Sequence, residues 1–273
     1  MDLHQNDRDP AAALRDSGYA LLTPVRLQAL CDVRRPALDA LSASWSTLPR
    51  DEYLRDGGRY RFRRHGSFIH ELPLERVQLM PHRAHWQPTE YNALHGGMER
   101  WFEPIARDIV ASVAWNGLLR GIGALFARVR PVSRWYIEAH QFRIDTAEGI
   151  GRPTPEGAHR DGVDYVAVVL VDRAHVRGGE TRVFEADGIT GVRFTMAEPW
   201  TALLLDDARV IHETTPIQPD DRAGVRDTLV LTYREHGFQD PPGSGSGSGS
   251  GCGSSSGTAD IDIRLTPSTE PAR

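Results

Sequence analysis

A chain of 273 residues with 40% hydrophobic and 25% charged residues has the composition of an ordinary globular protein, long enough for one substantial core. Its net charge of -5 argues against a basic nucleic-acid surface, and no apolar run approaches the roughly 20 residues of a membrane span. All 32 basic residues are arginine, which excludes Schiff-base and P-loop lysines, while Cys31 and Cys252 are too few for a disulfide framework.

In chain order, Leu and Ala at helical spacing predict helices over 11–16 and 26–41, interrupted at Pro24 and Pro36. The polar opening Met1-Asp2-Leu3-His4 is unlike a signal peptide, and with so little cysteine a cytoplasmic protein is expected. Over 51–70 the chain is rich in arginine, and Arg59-Tyr60-Arg61-Phe62-Arg63 alternates with the period of an exposed strand. Those arginines are expected to face solvent, the other option being a carboxylate-binding surface over a pocket. An amphipathic pattern over 98–129 predicts one long or two consecutive helices, with Trp101, Ile105, Ile109, Val113 and Leu118 on the apolar face. Gly117, Gly121 and Gly123 predict a break or bend there.

From residue 134 the character changes to short β-rich runs, at 135–144, 165–171, 181–185, 192–195, 202–205, 210–212 and 228–234. Gly149-Ile150-Gly151, Gly178-Gly179 and Asp187-Gly188 separate them as turns, the second read as a hairpin turn. Trp135 and Trp200 are read as core. The expected fold class is α+β: a jelly-roll, cupin-like double-stranded β-helix over about 134–236, buttressed by N-terminal helices within about 1–130. A single domain over 1–240 is expected, then a Gly/Ser-rich linker and disordered tail over 241–273, where Ile261, Ile263 and Leu265 could add one edge strand.

The chemistry concentrates in His159-Arg160-Asp161. Residues two apart on a strand point to one side, so His159 and Asp161 converge, and His212 from a distant strand completes two imidazoles and a carboxylate. That facial set holds a divalent metal and leaves coordination positions open, as in non-heme Fe(II) oxygenases. Chance alone supplies about one or two His-x-Asp/Glu pairs in such a composition. Taken singly, His212 reads equally as a core histidine and Asp161 as a turn former before Gly162. The setting decides: an apolar strand over 166–171 follows, a second histidine ends another strand, and Arg226 lies on a later one. Arg226, with the Thr228 hydroxyl on the same side, would grip a co-substrate carboxylate. Gln141 and Arg143 share a strand face and are candidates for co-substrate and substrate contacts, unless they form a structural pair. A zinc hydrolase would use the same ligands plus a glutamate base. Glu213 should point away from that side, and Glu156 lies on a loop.

Over about 59–234 the chain resembles bacterial 2-oxoglutarate- and Fe(II)-dependent dioxygenases that hydroxylate free or N-substituted amino acids, with the isoleucine 4-hydroxylase group as reference. The resemblance is carried by Tyr91-Asn92-Ala93-Leu94-His95-Gly96-Gly97, His140-Gln141-Phe142-Arg143-Ile144, Asp207-Ala208-Arg209-Val210-Ile211-His212 and Arg226-Asp227-Thr228-Leu229. Its most specific string is Pro155-Glu156-Gly157-Ala158-His159-Arg160-Asp161-Gly162. It implies His159, Asp161 and His212 as catalytic iron ligands, and Arg226 and Thr228 on 2-oxoglutarate. It also implies O2 as oxidant, ascorbate as activator, and hydroxylation with release of succinate and CO2. The carboxylate of Asp161 sets the chain apart from related halogenases, which carry a small residue there. A small amino acid or derivative is the expected partner, with no nucleic acid or membrane, and a homodimer is allowed. Two rival readings are a non-oxidative metal hydrolase or isomerase and a non-catalytic jelly-roll binding module.

Overall fold

Proline opens the early helices instead of breaking them. In the computed structural model, which describes residues 8–92, 94–186 and 190–242, these are α1 (Pro10–Ser17), α2 (Pro24–Cys31) and α3 (Arg35–Ser42). Pro10, Pro24 and Pro36 all fall in a first turn, where a missing N–H loses no helical bond. The helix expected over 26–41 is therefore two helices, parted at Asp32, whose φ of 50° lies in the left-handed region. A strand the sequence did not announce, β1 (Tyr19–Leu22), sits between α1 and α2. The Met1–Asp7 opening, Ala93, the Asp187-Gly188 turn and everything from Gly243, including Cys252 and the edge strand at 261–265, lie outside the described residues.

The helix expected from residue 98 begins later, as α4 (Arg107–Val110) and α5 (Val113–Val129). Trp101 precedes both and is 53% exposed, and Val113 is exposed too, so neither belongs to the apolar face. No break occurs at the glycines; α5 runs unbroken through them. A Cβ at Gly121 would stand 2.7 Å from both the Cys31 Cα and the Leu30 carbonyl oxygen, and one at Gly117 would stand 2.9 Å from the Cys31 oxygen. The missing side chains let the α5 backbone lie directly on the C-terminal turn of α2, with Cys31 sealed beneath it.

Seven antiparallel strands form the main sheet in the order β1-β9-β5-β12-β4-β2-β3. Its remaining members are β2 (Arg61–Glu71), β3 (Arg76–Leu79), β4 (Arg134–Asp145), β5 (Tyr165–Ala174), β9 (Ala202–Asp206) and β12 (Val225–Arg234). The facing layer is built from β6 (Val176–Gly178) paired with β11 (Ile217–Pro219), and from β7 (Thr181–Glu185), β8 (Gly191–Phe194) and β10 (Val210–Thr214) in the order β10-β7-β8. This is the jelly-roll, double-stranded β-helix fold. Gly178-Gly179 is not a hairpin turn: β6 pairs with β11 and β7 with β10, so the two glycines carry the chain from one pairing to the other.

Strand alternation divides the main sheet into two chemically distinct faces. Trp135, Ile137, Ala139, Leu229, Leu231 and Tyr233 face the helices and join α5 in the main core. Trp135 and Trp200 are both fully buried, as expected of core residues. The opposite face of β2, β4 and β12 points at the second layer, and there the side chains are largely polar.

The contact between α5 and α2 makes a counter-intuitive prediction. Gly121→Ala should raise helix propensity by about 1 kcal/mol, yet overpacking a backbone contact costs about 1–3 kcal/mol. The variant should therefore unfold at lower urea concentration than the parent; an unchanged or higher midpoint would show that the helices separate freely.

Candidate metal centre

Two reciprocal backbone hydrogen bonds bring the histidines together. The His159 N–H donates to the His212 oxygen at 3.1 Å and the His212 N–H donates to the His159 oxygen at 3.0 Å. This isolated antiparallel bridge adds the segment before β5 to the free edge of β10. Directly opposed residues project to the same side, and the two imidazole centroids are 4.6 Å apart. Upstream, Gly151 pairs with Ile217, and the Thr154 hydroxyl both donates to the Thr214 oxygen and accepts from its N–H. The whole approach to His159 is thus fastened to β10 and β11.

Asp161 lies where the two-residue spacing predicts. Its carboxylate oxygens are 3.9 Å from His159 Nε2 and 3.9 Å from His212 Nε2, too far for hydrogen bonds but grouped around one point. His159 Nδ1 sits 3.1 Å from the Gly157 carbonyl, which can only accept, so that nitrogen carries the proton and Nε2 offers its lone pair. Burial, and then His159, hold the His212 imidazole far below its ordinary value, so it is neutral. His159 also faces burial, but Asp161 and Glu156 outweigh it and raise its basicity. Two imidazole nitrogens and a carboxylate oxygen with no bonds among themselves fit a divalent cation such as Fe(II).

The Asp161 turn is held from both sides. Asp207 accepts the backbone N–H groups of Asp161, Gly162 and Val163 at 2.8–3.1 Å, and the Gln239 amide donates to the carbonyls of Asp161 and Gly162. Burial and the adjacent Asp161 push the Asp207 carboxyl up to about 7. Gly162 has a φ of 73°, and a Cβ there would be 2.4 Å from the Tyr91 ring, so both backbone and space demand glycine. Sequence reasoning missed Asp207, because a carboxylate that binds only backbone leaves no side-chain pattern to read.

Beside this centre a cavity opens between the layers. Arg226 projects into it, 3% exposed, with its Nε and one terminal nitrogen lacking any hydrogen-bond partner in the protein. Burial, then Arg173, bring its pKa down to about 10. Thr228 lines the same cavity two residues on, as expected. Register places Arg226 level with Ile144 on β4 and Arg61 on β2, and Thr228 level with Phe142 and Arg63. Arg61 and Arg63 are therefore not on a solvated face: they are 5% and 4% exposed and line the cavity. Their alternation was legible, but polar residues in a strand face inward when the space between two sheets is itself polar.

Gln141 and Arg143 fall on the wrong parity. Both point to the helical side, where Gln141 donates to the Ser44 hydroxyl at 2.8 Å and Arg143 forms a two-pronged pair with Asp227 at 2.7 and 2.8 Å. Neither lines the cavity, so the co-substrate and substrate roles expected of them are withdrawn in favour of the structural pairing. Glu213 points away from the centre, as expected, and pairs with Arg182 at 3.1 Å. Glu156 does line the cavity, its Oε1 3.7 Å from His159 Nε2. A second group of buried donors, His65, His85, Glu138 and His140, is bonded internally. Glu138 accepts from His65 and His85 at 3.2 Å each, and Arg63 donates to His140 Nδ1 at 2.9 Å. None of these was anticipated from sequence.

The 2OG-Fe dioxygenase family model matches residues 42–232. Among solved structures the chain is similar to a bsmA homolog from Methylobium petroleophilum PM1, with 56% identity, a TM-score of 0.81, and coverage of 85% of this chain and 94% of that one. It is also similar to IDO from Bacillus thuringiensis, at 16% identity and a TM-score of 0.68 over 84% of this chain and 95% of that one. The Fe(II)/α-ketoglutarate-dependent dioxygenase TqaL matches at 20% identity and a TM-score of 0.63, over 82% and 85% of the two chains. At such identities the last two bear on fold alone. Among curated proteins, none matches the chain.

Two buried histidines, His70 beside α5 and His85 in the cavity wall, set an acid limit on stability. Burial, followed by Arg120, brings His70 down to about 4, and burial brings His85 down to about 3 despite Glu138. Both lie below the unfolded value, so under about pH 6.5 the unfolded chain takes up protons that the folded chain refuses. Stability should fall as pH drops from 6.5 towards 4, by up to about 1.4 kcal/mol per pH unit for each histidine. Urea unfolding at pH 7.5, 6.5 and 5.5 measures this, and His70→Gln should flatten the slope. Asp207, pushed up to about 7, acts in the opposite sense, so the comparison of the two proteins decides: an identical slope in parent and His70→Gln would mean that the His70 imidazole reaches solvent.

Proposed function

Because the chain belongs to the 2OG-Fe dioxygenase family, we propose that it hydroxylates an unactivated C–H bond of a free or N-substituted aliphatic L-amino acid. The family implies Fe(II), 2-oxoglutarate and O2. Bound iron supplies the oxidation, in which one oxygen atom of O2 enters the substrate as hydroxyl and the other enters succinate as 2-oxoglutarate loses CO2. The protein's part is to hold, orient and shield.

His159, Asp161 and His212 are the metal ligands in this reading, and their convergence is the single observation that carries it. The Gly157 carbonyl leaves His159 Nε2 as the nitrogen that would ligate a metal, and Asp207 and Gln239 hold the backbone of the Asp161 turn. Arg226 holds the distal carboxylate of 2-oxoglutarate, with Thr228 beside it. Its two orphaned donors support that role, since a buried guanidinium left unpaired is unfavourable and a carboxylate satisfies it two bonds at a time. The carboxylate of Asp161 favours hydroxylation over halogenation. The string from Pro155 to Gly162 supports an amino acid as substrate. Residues 1–240 act as one catalytic domain, and ascorbate serves as activator. Among the described residues no helix is long and apolar enough to cross a membrane.

The test incubates anaerobically purified protein with Fe(II), ascorbate, 2-oxoglutarate and an amino-acid panel, then admits O2. One product should gain a single oxygen in step with succinate, and His212→Ala should abolish both. Arg226→Gln should raise the 2-oxoglutarate KM by about 10- to 100-fold, the equivalent of losing a charge-assisted bond of about 1.5–3 kcal/mol. Turnover that ignores O2 would overturn the oxygenase assignment, and an unchanged 2-oxoglutarate KM would overturn the role of Arg226.

A further inference from the structure

Three more guanidinium groups enter the same cavity, and the reading above leaves them without a task. Arg61, Arg63 and Arg100 are 5%, 4% and 2% exposed, and all three line the cavity. Each is tied to the protein through one part of its fork only. Arg61 Nε bonds the buried Asp51 at 2.7 Å, Arg63 donates to His140, and Arg100 donates to the Gln87 side-chain oxygen at 2.9 Å. Each also keeps a buried nitrogen with no partner in the protein: one terminal nitrogen of Arg61, and the Nε of Arg63 and of Arg100. The Arg63 guanidinium lies against the rings of Phe102 and Phe142, at 3.9 and 4.6 Å, which fixes its plane.

These groups repel one another where water cannot screen them. Burial, then Arg100, drive the Arg63 pKa well down, and burial, then Arg61, bring Arg100 down to about 10. An anion among them relieves that repulsion. Arg61 and Arg226 occupy the same level of the sheet with Ile144 of β4 between them, so their Cα atoms are about 10 Å apart, two strand spacings. The cavity also holds one unpaired acidic atom: Glu156 Oε2 is buried with no partner, while its Oε1 faces His159.

We infer that Arg61, Arg63 and Arg100 form a second carboxylate subsite that takes the α-carboxylate of the substrate, while Glu156 takes its ammonium group, so that the enzyme binds a free, zwitterionic amino acid. This rests on the amino-acid reading above and narrows it, since an N-acylated substrate has no cation to offer Glu156. The subsite fixes the backbone end of the substrate at two points and leaves the side chain to meet the metal.

The experiment measures binding of the twenty L-amino acids, then of the carboxamide and N-acetyl forms of the tightest binder, to the full chain loaded with Mn(II) and 2-oxoglutarate. Both derivatives should bind at least about 100-fold more weakly, as expected when a buried charge loses its partner. Arg100→Gln should weaken the free amino acid at least about tenfold while moving the 2-oxoglutarate KM less than about threefold. Glu156→Gln should weaken the free amino acid but not its N-acetyl form. That variant, on a loop outside the strands, keeps the test decisive should Arg100→Gln fail to fold. Equal binding of acid and carboxamide, or an Arg100 effect that falls on 2-oxoglutarate, would overturn the inference. So would failure of all twenty amino acids to bind a protein that still makes succinate from 2-oxoglutarate and O2, an outcome that leaves the oxygenase assignment standing.

Discussion

The pair of backbone bonds joining His159 to His212 is the constraint on which the site depends. It converts a requirement on side chains into one on strand pairing. Once the segment from Gly151 onwards lies along β11 and β10, the two imidazoles have no choice of side. Asp161 is then delivered by a turn whose amides Asp207 gathers and whose carbonyls Gln239 holds. The metal-binding geometry thus rests on strand pairing and on one glycine that admits the turn. A site placed this way is ready before its ligands arrive, so little ordering has to accompany binding.

The main sheet separates stability from chemistry by parity. One face is aromatic and aliphatic and packs on α5; the other carries the arginines, histidines and threonines. One connection between the faces lies at a bulge. β5 carries a bulge opposite the Asp227–Thr228 step of β12, and the Thr228 carbonyl accepts the indole N–H of Trp45 at 3.1 Å. Helical packing therefore reaches a residue whose hydroxyl side lines the cavity. Several buried donors around that cavity have no partner in the protein, so a ligand that bonds them should contribute to stability as well as to turnover.

Much of the centre was legible because it obeys the two-residue period. His159 with Asp161, and Arg226 with Thr228, needed only alternation along a strand and a second histidine at the end of another. The fold class followed from many short β runs after a helical beginning. The errors have equally definite causes. On β4 both faces carry polar side chains, Gln141 and Arg143 on one and Glu138 and His140 on the other, so composition could not tell which faced the cavity. For Arg61 and Arg63 the alternation was right and the assumption that charge means solvent was wrong. Pro24 and Pro36 were read as breaks when they stand where helices begin, and the α5 glycines mark a close approach, not a bend. Arg100, His85 and Asp207 act through long-range contacts that no local pattern encodes.

The tight seat of α5 on α2 has a chemical result besides its mechanical one. Cys31 lies inside that seam, 3% exposed, and burial pushes its thiol up to about 12. At neutral pH almost none of it is thiolate, the form that oxidants attack. In a family that handles dioxygen and a redox-active metal, the Cys31 sulfhydryl is kept chemically silent by a seam that closes because the neighbouring helix lacks a methyl group at Gly121.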